Sequence, residues 1–219
     1  MLTYGMLSSL YLGQFSGVLV GGLALLWWGL AHGRWNVAGI GLILAASKYH
    51  TGALPALILI LCSDTSWGQR LRVLPIPAAV CLSSFAFYGF WPLNVLATYQ
   101  NNPPNAWGNI SPWHWIGPFA LLIWIPPFIV RMDWRERIIA LFATTPLGVP
   151  YFQHTDLVML GVMPIGWLSL LGNLGFLKQL LGMEEQPYLM TLPLVVYLAT
   201  LVPHAVNLQR RSKTASPEK

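Results

Sequence analysis

Asn36-VAGIGLILAAS-Lys48-Tyr49-His50-TGALPALILIL-Cys62 decides the fold class. It is almost wholly apolar, yet a lysine and a histidine sit at its centre. At about 1.5 Å per residue, one continuous helix of this length would overshoot a hydrocarbon core of about 30 Å. The polar break Lys48-Tyr49-His50-Thr51-Gly52 therefore predicts two pieces, each short for a full crossing. They form a helical hairpin, or the core is locally thin. An ionisable group at that depth costs about 2.5–3.5 kcal/mol, so it faces a bundle interior or a wet cavity and marks a functional site by default.

The rest of the chain agrees with a membrane setting. Of its 219 residues, 55% are hydrophobic and 9% charged, against about 25% charged in soluble domains. Too few charges exist to cover a water-facing surface. The fold class is all-α, a polytopic transmembrane bundle with about seven apolar segments and a broken or re-entrant hairpin near Lys48. Residues 1–207 read as one transmembrane domain and residues 208–219 as a disordered basic tail. The net charge of +5 lies in short clusters at the ends of apolar runs, the pattern of membrane orientation signals. Nucleic-acid binding is excluded as a reading. Cys62 and Cys81 read as buried free thiols, and no metal or redox spacing occurs. No metal and no cofactor is expected. No cleavable leader is evident, since Met1–Leu12 has no positive charge.

The first span covers 11–31. Gly17, Gly21 and Gly22 would allow close helix contact there. Trp27-Trp28 and Arg34 close it as an aromatic belt and a positive stop. Further spans are expected over 73–90, 115–130, 138–151, 157–171 and 188–206, with an interfacial helix over 174–181. Arg34, Arg70 with Arg72, and Arg131 with Arg135 and Arg137 can share one side, taken as cytoplasmic. Lys48, the loop 91–113 and the break His154–Asp156 then face the other. One conflict arises: with every segment spanning, Arg210, Arg211 and Lys213 end outside, against the rule. Either one segment is re-entrant or the chain lacks an earlier part.

Several short motifs recur in a familiar order. Gly13-Gln14-Phe15-Ser16 opens the first span; Arg34-Trp35-Asn36-Val37-Ala38-Gly39 and a run to Ala46-Ser47-Lys48 come next. Then come Gln69-Arg70-Leu71-Arg72, Tyr88-Gly89, Asn109-Ile110-Ser111 and His154-Thr155-Asp156-Leu157. This order is similar to the integral-membrane C-type glycosyltransferases of family 87, which are polyprenol-phosphate-mannose-dependent mannosyltransferase-like proteins. In that family a Gly-Gln pair and an Ala-Gly pair each start a helix, and a Lys, often followed by Pro, closes one. A Tyr-Asp or His-Asp pair precedes a Leu-rich helix. The resemblance runs from Gly13 to about Leu171. Tyr49 stands where Pro is usual, and the chain begins where the second half of a family member begins. The superfamily's presumed catalytic carboxylate lies in an early outer loop, whereas the first acidic residue here is Asp64.

The resemblance implies transfer of a hexose, mannose in the first instance, from a polyprenyl-phosphate donor to an acceptor at the outer face of a bacterial cytoplasmic membrane. The alternative is a non-catalytic scaffold or accessory subunit that lost the early carboxylate. A truncated or split product needing a partner membrane subunit fits the same pattern. The expected partners are the lipid-linked sugar and membrane lipid. A transporter is a third reading, since broken helices also make midplane sites, but no internal repeat supports it.

Lys48 is the leading substrate-binding residue, a point charge for the donor phosphate; the bland reading is a lysine snorkelling to the interface. His50 can donate to the same phosphate or act only as an interfacial anchor. Gln14 can bond a sugar hydroxyl or a neighbouring helix. Asp156 is the catalytic-base candidate, with His154 beside it as a further substrate-binding candidate; capping the following helix is the competing role of Asp156. Trp91, Tyr99, Trp107, Trp113 and Trp115 suit sugar stacking or an interfacial belt. Asn109-Ile110-Ser111 matches a glycosylation acceptor, but Pro112 follows, and the resemblance suggests a structural role. The mixed cluster Arg131–Arg137 is assigned no chemistry.

Overall fold

In the computed structural model, residues 4, 7, 11–12, 14–94, 97, 109–176, 180–182 and 186–214 are described, without the side chains of 50, 186–187 and 207–214. The expectations for Tyr99, Trp107, Lys178 and the side chain of His50 lie outside the described residues.

The fold is all-helical. Among the described residues the only β pairing is an isolated bridge, Asn109 to Gln153. In chain order the elements are α1 (Ser16–Ala31), α2 (Trp35–Ala46), α3 (Tyr49–Cys62), α4 (Trp67–Leu71), α5 (Pro75–Tyr88) and α6 (Trp113–Ile116). A 3-10 run (Gly117–Trp124) leads to α7 (Pro126–Ile129) and α8 (Trp134–Gly148). Two further 3-10 runs, His154–Val162 and Gly166–Phe176, precede α9 (Gln186–Leu189) and α10 (Thr191–Thr214). The last helix thus continues to Thr214, into the stretch read as a disordered tail.

Among the described residues one helix, Trp67–Tyr88, is long and apolar enough to cross a membrane by length and composition, and it is little buried. The other apolar helices are shorter: Ser16–Ala31, Trp35–Ala46, Thr51–Cys62, Trp113–Ile129 and Thr191–Val206.

The break at Lys48 is a hairpin tip. Ala46 ends α2, Ser47 and Lys48 turn, and Tyr49 starts α3. Trp35 at the start of α2 and Leu59 and Ser63 at the end of α3 line one cavity, so the two helices fold back side by side. Gly52 makes this possible: a Cβ there would stand 2.0 Å from the Ala45 carbonyl oxygen. The α1–α2 crossing is equally close. A Cβ on Gly41 would meet the Leu26 nitrogen at 2.4 Å, and one on Gly22 the Ala45 nitrogen at 2.3 Å. Of the three glycines expected to bring helices together, only Gly22 does so; Gly17 and Gly21 face open space. Small residues matter where backbones meet, and the α1 face that meets α2 carries Gly22, Leu26 and Gly29.

Helix α8 is the core. Asp133 and Glu136 form a reciprocal capping box at its start, and every residue from Ala140 to Gly148 is buried. Two orphan backbone donors are satisfied there, so the chain enters the bundle at a fixed point. Arg137 adds a hydrogen bond from Nε to the Pro127 carbonyl, 3.1 Å.

The tract 157–171, read as one span, is two passes. Val162, Met163 and Pro164 line the same cavity as Trp35 and Arg135, at the basic end. Gly166 turns the chain with φ of 57°. Asn173 then accepts from the Tyr4 backbone N–H at 2.9 Å, with the Tyr4 ring 6.2 Å from that of His154 at the opposite end. The extra pass reverses the direction of the last helix: His204 on α10 meets Glu136 at 3.0 Å, beside the basic loops.

Candidate functional site

Four oxygens surround the Lys48 ammonium. Its Nζ lies 2.6 Å from Asp156 Oδ1, 2.8 Å from Gln14 Oε1, 3.1 Å from Gln153 Oε1 and 3.4 Å from Ser16 Oγ. Ser16 also donates its hydroxyl to Asp156 Oδ1 at 2.8 Å. Asp156 is fully buried and the Lys48 side chain is 11% exposed. The snorkelling reading of Lys48 therefore fails: its amine points into protein.

Each element contributes for a local reason. Lys48 sits between α2 and α3, so its side chain leaves the hairpin tip. Gln14 and Ser16 flank the first turn of α1. Gln153 and Asp156 flank the first turn of a 3-10 run. Gln153 stands in extended backbone just before the run and Asp156 in its first turn, and both side chains reach one ammonium.

Asp156 caps nothing. The run His154–Val162 starts at Gln153 without a side-chain cap, and the Asp156 carboxylate goes to Lys48 and Ser16 instead. Its second oxygen, Oδ2, is buried with no hydrogen-bond partner among the described residues. A buried carboxylate oxygen left bare is costly and calls for an explanation. Thr155 adds a long hydrogen bond to Gln14 Oε1, 3.5 Å. That leaves Gln14 Nε2 as a donor with no partner among the described residues. His154 is buried beside Tyr4.

The segment carrying Gln153 is clamped by Asn109. Asn109 Oδ1 accepts from the backbone N–H groups of Ser111 and Phe152, each at 3.0 Å, and its Nδ2 donates to the Pro150 carbonyl at 3.3 Å. The Ser111 hydroxyl donates to the Val149 carbonyl, and the Ile110 N–H to that of Phe152 at 2.9 Å. Asn109-Ile110-Ser111 is thus a splint holding the approach to Gln153. Trp113 lines a small apolar cavity with Trp124 and Leu54, while Trp115 is exposed.

Sequence reading placed Gln14, Lys48, His154 and Asp156 near one face, and the structure brings Gln14, Lys48 and Asp156 into direct contact. It missed Ser16 and Gln153 as members. Ser16 had a weak signal, a hydroxyl two residues after Gln14. Gln153 had its position three residues before the only nearby carboxylate. Among the described residues no group of histidine, cysteine and carboxylate side chains is arranged to hold a metal.

Compared with known protein families, characterised proteins and solved structures, the chain matches none.

Proposed function

We propose that this chain is a multi-pass membrane protein, and that the Lys48–Asp156 centre serves sugar transfer from a polyprenyl-phosphate donor. What carries the proposal is a buried ion pair whose carboxylate keeps one oxygen, Oδ2, unpartnered. Exposed large apolar side chains support the membrane setting: Leu82, Phe87, Phe119, Phe128 and Ile129 all project outward, an apolar surface of the kind that marks membrane or partner contact. The basic loops take the cytoplasmic side. Helix α2 is about 18 Å long at 1.5 Å per residue, so the hairpin tip stands within a core of about 30 Å.

In this reading Lys48 holds the Asp156 carboxylate through Oδ1 and leaves Oδ2 for the acceptor. Oδ2 is fully buried, so the cluster must first open to admit an acceptor hydroxyl, which gives up its proton there. The acceptor oxygen bonds the anomeric carbon from the face opposite the leaving group, and the bond from that carbon to the phosphate oxygen breaks. The lipid phosphate leaves with the electron pair, and the anomeric configuration inverts. Protonation of Asp156 weakens its hold on Lys48, which frees a cation for the phosphate as negative charge gathers. Gln14 Nε2 is placed to donate to a sugar hydroxyl.

A second reading has one observation in its favour. All the Lys48 N–H donors already have acceptors in the protein, so the cluster can serve as a bolt joining α1, the hairpin and the 154–162 run. The chain is then a non-catalytic scaffold or subunit. The test is hexose transfer by membranes holding the full chain, given labelled polyprenyl-phosphate hexoses, with Asp156→Asn as control. Transfer that depends on Asp156 supports the enzyme. No transfer by the intact chain, with and without co-expressed membrane partners, supports the bolt.

A further inference from the structure

A cavity of about 750 Å³ opens at the opposite end of the bundle, far from Lys48. Its size falls within the usual range of ligand pockets, about 300–1,000 Å³. Three indoles line it, Trp27, Trp35 and Trp134, with Leu30, Leu59 and Ile138 deeper along the wall. Two opposite charges stand on its rim, Arg135 and Asp64. Arg135 stacks on the Trp134 ring, 5.2 Å from its centroid. Neither Arg135 nor Asp64 has a hydrogen bond or ion pair among the described residues. The neighbouring acids are engaged: Asp133 and Glu136 cap α8, and Glu136 pairs with His204. The neighbouring Arg70 donates to the Ser63 carbonyl at 2.8 Å and stacks on Trp67.

We propose that this cavity binds the headgroup of an ethanolamine phospholipid. The inference rests on the membrane reading but not on sugar transfer. A headgroup carrying both signs matches a site carrying both signs. The phosphate meets the Arg135 guanidinium, whose planar fork suits phosphate oxygens. The ammonium lies against indole faces, which attract cations, within reach of the Asp64 carboxylate. The first acyl carbons lie against Ala31 and Val162, the apolar lining residues that keep accessible surface. An anionic headgroup would satisfy Arg135 but set a second negative group, or none, against Asp64. Free phosphate would leave the indoles and the apolar wall unused.

The test uses the full chain in nanodiscs holding equal dioleoyl-phosphatidylethanolamine and dioleoyl-phosphatidylglycerol, followed by native mass spectrometry of retained lipid. The wild type retains the ethanolamine lipid over the glycerol lipid by about fivefold, the share of one charge contact at the surface. Asp64→Asn abolishes that preference while lipid is still retained. Arg135→Gln lowers retention of both lipids. Both residues are exposed, so the variants keep the fold. Equal retention by the wild type, an unchanged preference in Asp64→Asn, or release of lipid by millimolar inorganic phosphate each overturns the site. Recovery of the chain in the soluble fraction after carbonate washing overturns the membrane reading and this site with it. A lipid preference without hexose transfer leaves the site standing and the transferase reading fallen.

Discussion

Cutting one half of the Lys48–Asp156 pair should damage the protein far more than removing both halves. The gross attraction between unit charges 2.6 Å apart, at an effective dielectric of about 20, is about 6 kcal/mol. Desolvating the two ions costs several kcal/mol each, so the intact pair contributes little net stability. Lys48→Met deletes the attraction and leaves a fully buried carboxylate uncompensated, a loss of about 3–5 kcal/mol. For a chain of this size each kcal/mol moves the melting point by roughly 2–4 °C, which gives a drop of about 6–20 °C. The double variant Lys48→Met/Asp156→Leu removes both charges. It still orphans Gln153 Oε1 and leaves Gln14 Oε1 only the long bond from Thr155, at about 1 kcal/mol each, so it should recover roughly half of the loss. The assay is size-exclusion of heated, detergent-solubilised protein, read as a double-mutant cycle. If the double variant melts as low as the two single losses added together, the charges are not coupled and the account of the site is refuted.

Three other outcomes are expected from the packing and the path of the chain. Gly41→Val should abolish recovery of folded protein, because its side chain would enter the Leu26 backbone, whereas Gly17→Ala should leave melting unchanged; size-exclusion profiles separate the two. Asn109→Ala orphans the Phe152 and Ser111 N–H groups, so it should lower stability by about 1–3 kcal/mol and reduce any hexose transfer without touching Lys48. In a background with Cys62 and Cys81 replaced by Ser, Ser212→Cys and Arg34→Cys should react with an impermeant maleimide from the same side of intact vesicles, and Asn109→Cys should not react from that side.

The hairpin was legible because its signal is local. Two apolar runs meeting at Lys48 leave few ways to hide an amine, and the break fell where α2 ends and α3 begins. The polar members of the site were legible as types but not as a set. Gln14, Lys48 and Asp156 are far apart in sequence, and their meeting depends on which faces α1, the hairpin and the 154–162 run present to each other. The glycines teach the same lesson. Gly17, Gly21 and Gly22 look alike along the chain, and only the helix that packs against them selects Gly22.

Helix type explains the one topological conflict. A tract of fifteen apolar residues, 157–171, reads as a single α-helical pass because about 20 residues at 1.5 Å each are assumed per crossing. The 3-10 geometry rises about 2.0 Å per residue. The nine residues His154–Val162 then cover about 18 Å, the same height as the twelve residues of α2. One short run therefore makes the journey from the Lys48 end to the Trp35 end, and Gly166 sends the chain back. That added crossing brings His204 to Glu136 and delivers the start of the basic tail to the side already holding Arg34, Arg70 and Arg135. In the proposed membrane setting, the orientation rule then fails only if every pass is assumed α-helical. The residues that enter this run, Gln153 and Asp156, both reach Lys48, so the segment that reverses the last helix also supplies two members of the buried charge cluster.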